Sequence, residues 1–256
     1  MTLPPELPLV LLASFGAGVV DSMVGGGGLI MVPTLFAAFP RVEPVVLLGT
    51  GKIASICGSS TALLRYSRAV AIAWRFMLPA ALLTFASALV GAYTVSILPG
   101  ERFRPLVPLL LTGVALYTLF HRDFGERHTP HALSGARWWL AIGLIVVIGF
   151  YEGFFGPGTG SFFMFMLVRV FGYDFLNAAA GARLLNVAGN AAALTLFAAR
   201  AELMWLAGIL MAVCSVAGSL IGTRLALKRG AGFVRLVFLV VVAALIAKTA
   251  WDALRA

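Results

Sequence analysis

The chain has 256 residues, 61% of them hydrophobic and 11% charged, with a mean hydropathy of +1.00 and a formal net charge of +9. A soluble domain is about half apolar and about a quarter charged, so this chain has too little polar surface to cover itself in water. The same figures exclude a collagen, a disordered tail and a disulfide scaffold. The length accommodates roughly eight to ten membrane crossings of about 20 residues. The surplus of 19 Lys and Arg over 10 acids is explained by basic loops that orient such a protein in its bilayer, without nucleic acid as a partner.

In chain order, the apolar segments are bounded by Pro, Gly and charge. The first covers 7–24 and stops at Gly25, Gly26, Gly27 and Gly28. No Lys or Arg precedes it, so it reads as a membrane segment of the mature chain and not as a cleaved leader. A short segment follows at 29–39, ended by Pro40 and Arg41, then longer ones at 45–64, 70–98 and 106–120. The strongly polar stretch 121–137 holds all three histidines, His121, His128 and His131. They stand without Cys or a helical metal-ligand spacing, and no metal or cofactor is expected. Beyond it lie 138–155, 162–171, 175–199, 203–227 and 234–250. The runs lack strand alternation and are too long for barrel strands. All are predicted helical, because backbone groups in lipid must be satisfied within their own segment. Cys57 and Cys214 stand alone among small and apolar residues and read as packing residues.

The order of long, short and glycine-broken segments occurs twice. A shift of 131 positions without a gap places Gly18 on Gly149, Asp21 on Glu152, Gly25 on Gly156 and Gly27 on Gly158. It also places Lys52 on Arg183, Ser55 on Asn186, Ser59 on Asn190, Trp74 on Trp205 and Arg104 on Arg235. Matches of Gly are cheap in so biased a composition; matches of Trp, of an embedded cation and of an embedded acid at one offset are not. The expected organisation is a first repeat at 1–120, a polar linker at 121–137 and a second repeat at 138–256. Each repeat has about five apolar segments and a short glycine-broken helix pair. If that pair enters the membrane and returns, the repeats are inverted. Eleven loop cations then share one side and six the other. If the pair crosses once, the repeats are parallel and the split is nine to eight. The positive-inside rule prefers the inverted arrangement, with the linker cytoplasmic and both termini periplasmic.

Three groups of residues carry chemistry. Gly25–Gly28 and the run Gly156, Pro157, Gly158, Thr159, Gly160 interrupt apolar helices at equivalent places. One reading is a tight turn or close helix packing. The other is a discontinuous helix whose free N–H groups and positive dipole end hold an anion at the midplane, as in transporters built from inverted repeats. Lys52 and Arg183 are cations embedded in apolar segments, where insertion costs about 2.5–3.5 kcal/mol unless they snorkel. Ser55 and Ser59 follow the first at helical spacing, and Asn186 and Asn190 follow the second. This makes two polar faces suited to lining a cavity. Asp21 and Glu152 each precede a glycine cluster by four positions. They read either as structural ion-pair partners of the cations or as proton carriers.

The stretches Val20-Asp21-Ser22-Met23-Val24-Gly25-Gly26-Gly27-Gly28 and Gly49-Thr50-Gly51-Lys52 resemble the first half of TauE/SafE-type transporters. The stretch Gly149-Phe150-Tyr151-Glu152-Gly153-Phe154-Phe155-Gly156-Pro157-Gly158-Thr159-Gly160 resembles the second half. Family members commonly have Asn where this chain has Gly51, and Lys where it has Arg183. The resemblance implies a multi-pass permease of the bacterial inner membrane and a non-enzyme. The expected activity is secondary transport, by export, of sulfite, an organosulfonate or a related small anion. The expected substrate ligands are Lys52, Arg183, Thr50, Ser55, Asn186 and Asn190, with backbone from Gly25, Gly26, Gly27, Gly28, Gly156, Gly158, Thr159 and Gly160. Asp21 and Glu152 are the candidates for proton coupling. The expected partners are the small anion, the lipid bilayer and possible further copies of the chain. The alternatives are a passive anion channel and a non-transporting membrane subunit.

Overall fold

Local signals in the sequence set the helix ends. The structure, a computed structural model, describes residues 5–103 and 135–255. The predicted segment 106–120 and nearly all of the linker lie outside the described residues. Helix α1, Leu7–Val24, opens on a first-turn proline and closes at Gly25 (φ 81°), whose N–H returns to Asp21 O at 2.9 Å. A left-handed residue at a helix end is the position glycine serves best. Helix α2, Gly28–Ala38, follows after three residues, Gly25, Gly26 and Gly27. Helix α3, Pro44–Tyr66, again begins on proline, where the missing N–H costs nothing. Helix α4 is Trp74–Ser96 and α5 is a single turn, Gly100–Phe103. The sequence predicted a start for α4 at Val70, but residues 67–73 form a turn, and the apolar Val70 and Ile72 pack against the core beside it.

In the second half, α6 is Ala136–Phe154 and α7 is Thr159–Phe171, separated by a break with left-handed Gly156 and Gly158. Helix α8, Phe175–Arg200, is capped by Asp174, whose carboxylate accepts from Asn177 N at 2.7 Å. Helix α9, Trp205–Arg255, is interrupted at Gly230 (φ 74°), between the two segments predicted there. Among the described residues, α1, α3, α4, α6, α8 and the portion Trp205–Gly230 of α9 are long and apolar enough to cross a membrane; α2 and α7 are shorter.

The packing interlocks the halves. Helix α1 packs on α9 and α4 on α6, while α3 meets α8 and α9, and α4 meets α8. Under the 131-residue shift these contacts exchange with one another. The close approaches do likewise. Gly91 of α4 lies against the Phe150 carbonyl of α6, and Gly222 of α9 lies against the Val19 carbonyl of α1. Small residues let backbones approach where dispersion, not the hydrophobic effect, drives association.

In each short pair the second helix folds back along the first. Val10 and Ala17 of α1 share an apolar cluster with Met31 and Leu35 of α2, and Ala38 and Phe39 pack against it. At the opposite end of α3, Phe76 lies 5.9 Å from Trp138 at the start of α6 and 4.6 Å from Phe171 at the end of α7, ring centre to centre. Polar groups are held within an apolar interior, and large apolar side chains also face outward. Thr50, Lys52, Ser59, Thr84, Glu152, Arg183, Asn186 and Asn190 are buried, while Leu12, Leu82, Trp139, Val147 and Val213 are exposed.

Candidate functional site

Two buried cations need partners, and each finds its partner in the other half. Lys52 Nζ of α3 lies 2.5 Å from Glu152 Oε1 of α6 and donates to the Glu152 carbonyl at 2.8 Å. Arg183 Nη1 of α8 donates to Asp21 Oδ2 of α1 at 2.7 Å and to the Asp21 carbonyl at 2.6 Å. Each cation thus grips both the side chain and the backbone of an acid one turn before a glycine break. The two pairs are equivalent under the 131-residue shift.

Hydroxyls complete the acids. Ser59 Oγ donates to Asp21 Oδ2 at 3.0 Å. Thr159 Oγ1 lies against Glu152 Oε2 and also against the Gly156 carbonyl at 2.7 Å. A hydroxyl carries one hydrogen, so it serves one of these acceptors at a time. Arg183 is fully buried, yet its Nε and Nη2, and Asn186 Oδ1, have no partner among the described residues. Buried polar atoms without a partner are rare in folded proteins.

The glycine clusters have a role that spacing alone left open. A Cβ on Gly156 would stand 2.6 Å from Lys52 Nζ. A Cβ on Gly160 would stand 2.7 Å from Arg183 Nη2 and from Asn186 Nδ2. The glycines therefore make room for the cationic heads, and Gly25 and Gly160 bring the two breaks into backbone contact. Ser161 Oγ bridges them further, donating to the Val24 carbonyl at 2.8 Å.

Between the pairs lies a small, partly open cavity. Of the residues singled out in the sequence, Asp21, Gly25, Gly28, Lys52, Ser55, Glu152, Gly156, Thr159, Asn186 and Asn190 line it. Gly28 and Thr159 are the first residues of α2 and α7, so both broken helices begin at its wall. Gly26, Gly27, Gly158 and Gly160 stand outside the lining, as does Arg183, which sits behind Asp21. Thr50 is placed elsewhere: it is buried, and its Oγ1 accepts from Met204 N at 3.2 Å just before α9. Sequence reasoning missed the apolar wall of Met31, Val32, Leu48 and Phe155, and Pro157. It placed Ser59 on the polar face suited to a cavity, which Ser59 does line, without making it a ligand. The repeat shift was the signal available for Ser59, since Asn190 is its equivalent.

Comparison with known proteins agrees with this architecture. The family model described as "Sulfite exporter TauE/SafE" matches residues 10–249. A Sinorhizobium protein named "Probable membrane transporter protein ORF9" is 35% identical over 244 residues, covering 93% of this chain and 90% of its own. The Escherichia coli K12 "Probable membrane transporter protein YfcA" is 32% identical over 252 residues, covering 98% and 92%. A "Probable membrane transporter protein" of Haemophilus influenzae is 29% identical over 248 residues, covering 96% and 95%. No solved structure matches the chain at a significant level. A multi-pass helical chain with charged pairs crossing between its halves, matched from end to end by one family, is a membrane transporter protein of the sulfite exporter TauE/SafE family.

Proposed function

We propose that this protein is a secondary transporter, an exporter, of a small oxyanion such as sulfite or an organosulfonate, and that it works by alternating access between two inverted repeats. The single observation that carries the reading is the crossed pair of buried ion pairs beside the cavity: Lys52 with Glu152, and Arg183 with Asp21. A pair that joins the two halves is broken or kept as the halves move, so an anion that competes for the cation couples its own binding to that movement. The anion would meet Lys52, Ser55, Asn186 and Asn190 in the cavity, while Arg183 holds Asp21 at its wall.

Two observations support the inverted arrangement. The α1–α2 pair begins and ends near Phe39, whereas the α6–α7 pair begins and ends near Phe76, at the other end of α3 and α4. Arg65, Arg68, Arg75, Arg137 and Arg169 gather at the second end, opposite Arg41 and Arg200. The positive-inside rule puts that second end in the cytoplasm of a bacterial inner membrane, and the beginning of α1 in the periplasm.

The test is flux in reconstituted vesicles. Sulfite and small sulfonates should exchange across vesicles containing the protein, and Lys52→Ala and Arg183→Ala should each abolish the exchange in protein that still purifies as a folded species. Undiminished flux in both variants refutes the site. Uptake that is not accelerated by unlabelled anion on the far side identifies a pore and refutes the carrier.

A further inference from the structure

The charge count of the site fixes what must travel with the anion. Two cations and two carboxylates meet here, one carboxylate on each cation, and the set is neutral. The charged group facing Glu152 is Lys52 from α3, with Asp21 from α1 on the same cavity wall. From α7 comes the Thr159 hydroxyl, from α8 come Asn186, Asn190 and the bare Gly189, and α4 adds Thr84 beside Gly189. Facing Asp21 are Arg183 from α8 and Ser59 from α3. The nearby phenols are committed to backbone: Tyr66 donates to the Ser22 carbonyl at 3.0 Å and Tyr151 to the Pro157 carbonyl at 3.1 Å. Among the described residues, no further cation is placed to neutralise an incoming anion.

We propose that the protein is an electroneutral anion–proton symporter that moves one proton per negative charge of its substrate, with Glu152 the first carrier and Asp21 the second. This rests on the transport reading above. An oxyanion that takes the Lys52 ammonium displaces the Glu152 carboxylate, and the site would then hold an uncompensated negative charge in a buried space. A proton taken from water at the open face converts that carboxylate to the acid. The loaded site is again neutral, with Lys52, Arg183 and Asp21 charged, Glu152 protonated and one monoanion bound. A dianion requires protonation of Asp21 as well. On the far side the anion leaves, Glu152 releases its proton to water, and the carboxylate returns to Lys52. Glu152 acts first because its cation, Lys52, lines the cavity, whereas Arg183 stands behind Asp21. Thr159 suits the exchange, since its hydroxyl has an alternative acceptor in the Gly156 carbonyl when Glu152 becomes a donor.

The experiment uses the full-length protein in vesicles, with labelled isethionate as one probe and sulfite as another. Isethionate is a sulfonate that carries no proton of its own at working pH, so any coupled proton must ride on the protein. Membrane potential is clamped with valinomycin and potassium while a pH gradient is imposed. The expected result is accumulation driven by the pH gradient, roughly tenfold per pH unit for a monoanion, and indifference to the potential. E152Q leaves the empty site with one excess positive charge, so its remaining flux should become sensitive to potential and lose its response to the pH gradient. D21N should change flux of sulfite above neutral pH, where it is mostly the dianion, more than that of isethionate. Wild-type flux that follows the potential and ignores the pH gradient overturns the symport and leaves the transport reading standing. Absence of flux for both probes under every gradient overturns the two together. The wild-type arm decides the matter even if a variant fails to fold.

Discussion

At the scale of single residues, the site is organised by the cost of leaving a charge alone. Lys52→Ala strands the Glu152 carboxylate and Arg183→Ala strands Asp21. Removing one member of a buried pair costs about 3–5 kcal/mol. The Arg183 variant should fall toward the lower part of that range, because the Asp21 side chain is 20% exposed against 3% for Glu152. The double variant K52A/E152A should be less destabilised than the sum of its single variants, as a thermodynamic cycle of unfolding in detergent would show. Additivity would mean that the ion pair contributes nothing to stability. Thr50 belongs to the same scale with a different outcome. Thr50→Val removes the acceptor for Met204 N and should cost about 1–3 kcal/mol while leaving anion affinity unchanged, which a titration of the purified protein would check.

At the scale of elements, helices cross where glycine allows it. A Cβ on Gly153 would run into the Ala88 backbone of α4, and one on Gly91 into the Phe150 carbonyl of α6. Gly16 and Gly143 face open space. Thermal unfolding should therefore separate these positions. Gly153→Ala and Gly91→Ala should lower stability by forcing α4 and α6 apart. Gly16→Ala and Gly143→Ala should be neutral or raise stability by up to about 1 kcal/mol, the helix-propensity difference between Gly and Ala. Equal effects at all four positions would remove the case for a close α4–α6 crossing. The broken helices follow the same logic. Gly156 and Gly160 stand where any side chain would meet a cationic head, so the element breaks where the charge has to fit.

At the scale of the whole molecule, the two halves are joined along their length, from the Phe76–Trp138 contact at one end, through the ion pairs, to the Arg200–Ser96 contact at the other. The 23-residue helix α3 is about 34 Å long at 1.5 Å per residue, enough to cross a hydrocarbon core of about 30 Å. Residues at its two ends should be reachable from opposite sides of the membrane. With Cys57 and Cys214 replaced by Ser, single cysteines at Glu43 and Glu202 should label with an impermeant reagent from one side, and cysteines at Ser67 and Arg169 from the other. All four positions are exposed. Labelling of Glu43 and Ser67 from the same side would contradict the crossing by α3 and the inverted arrangement built on it.

The sequence by itself determined that the chain is helical and made for a bilayer, where segment length and the need to satisfy every backbone group leave few choices. The helix boundaries at Gly25, Pro44 and Phe175 were legible because glycine and proline punctuate locally, whereas α7 begins at Thr159, three residues before the segment predicted at 162–171; the 131-residue shift made the equivalence of Asp21 with Glu152 and of Lys52 with Arg183 readable. Which acid meets which cation was decided only by the tertiary structure. Lys52 and Glu152 are 100 positions apart, and Arg183 and Asp21 are 162 apart. Periodicity along one helix carries no information about the neighbour that faces it. The same holds for Thr50, expected as a ligand, whose packing made it the acceptor for Met204 N at the entry to α9. It holds too for Arg183, which sequence equivalence placed beside the substrate and side-chain packing set behind Asp21, with two of its donors still open.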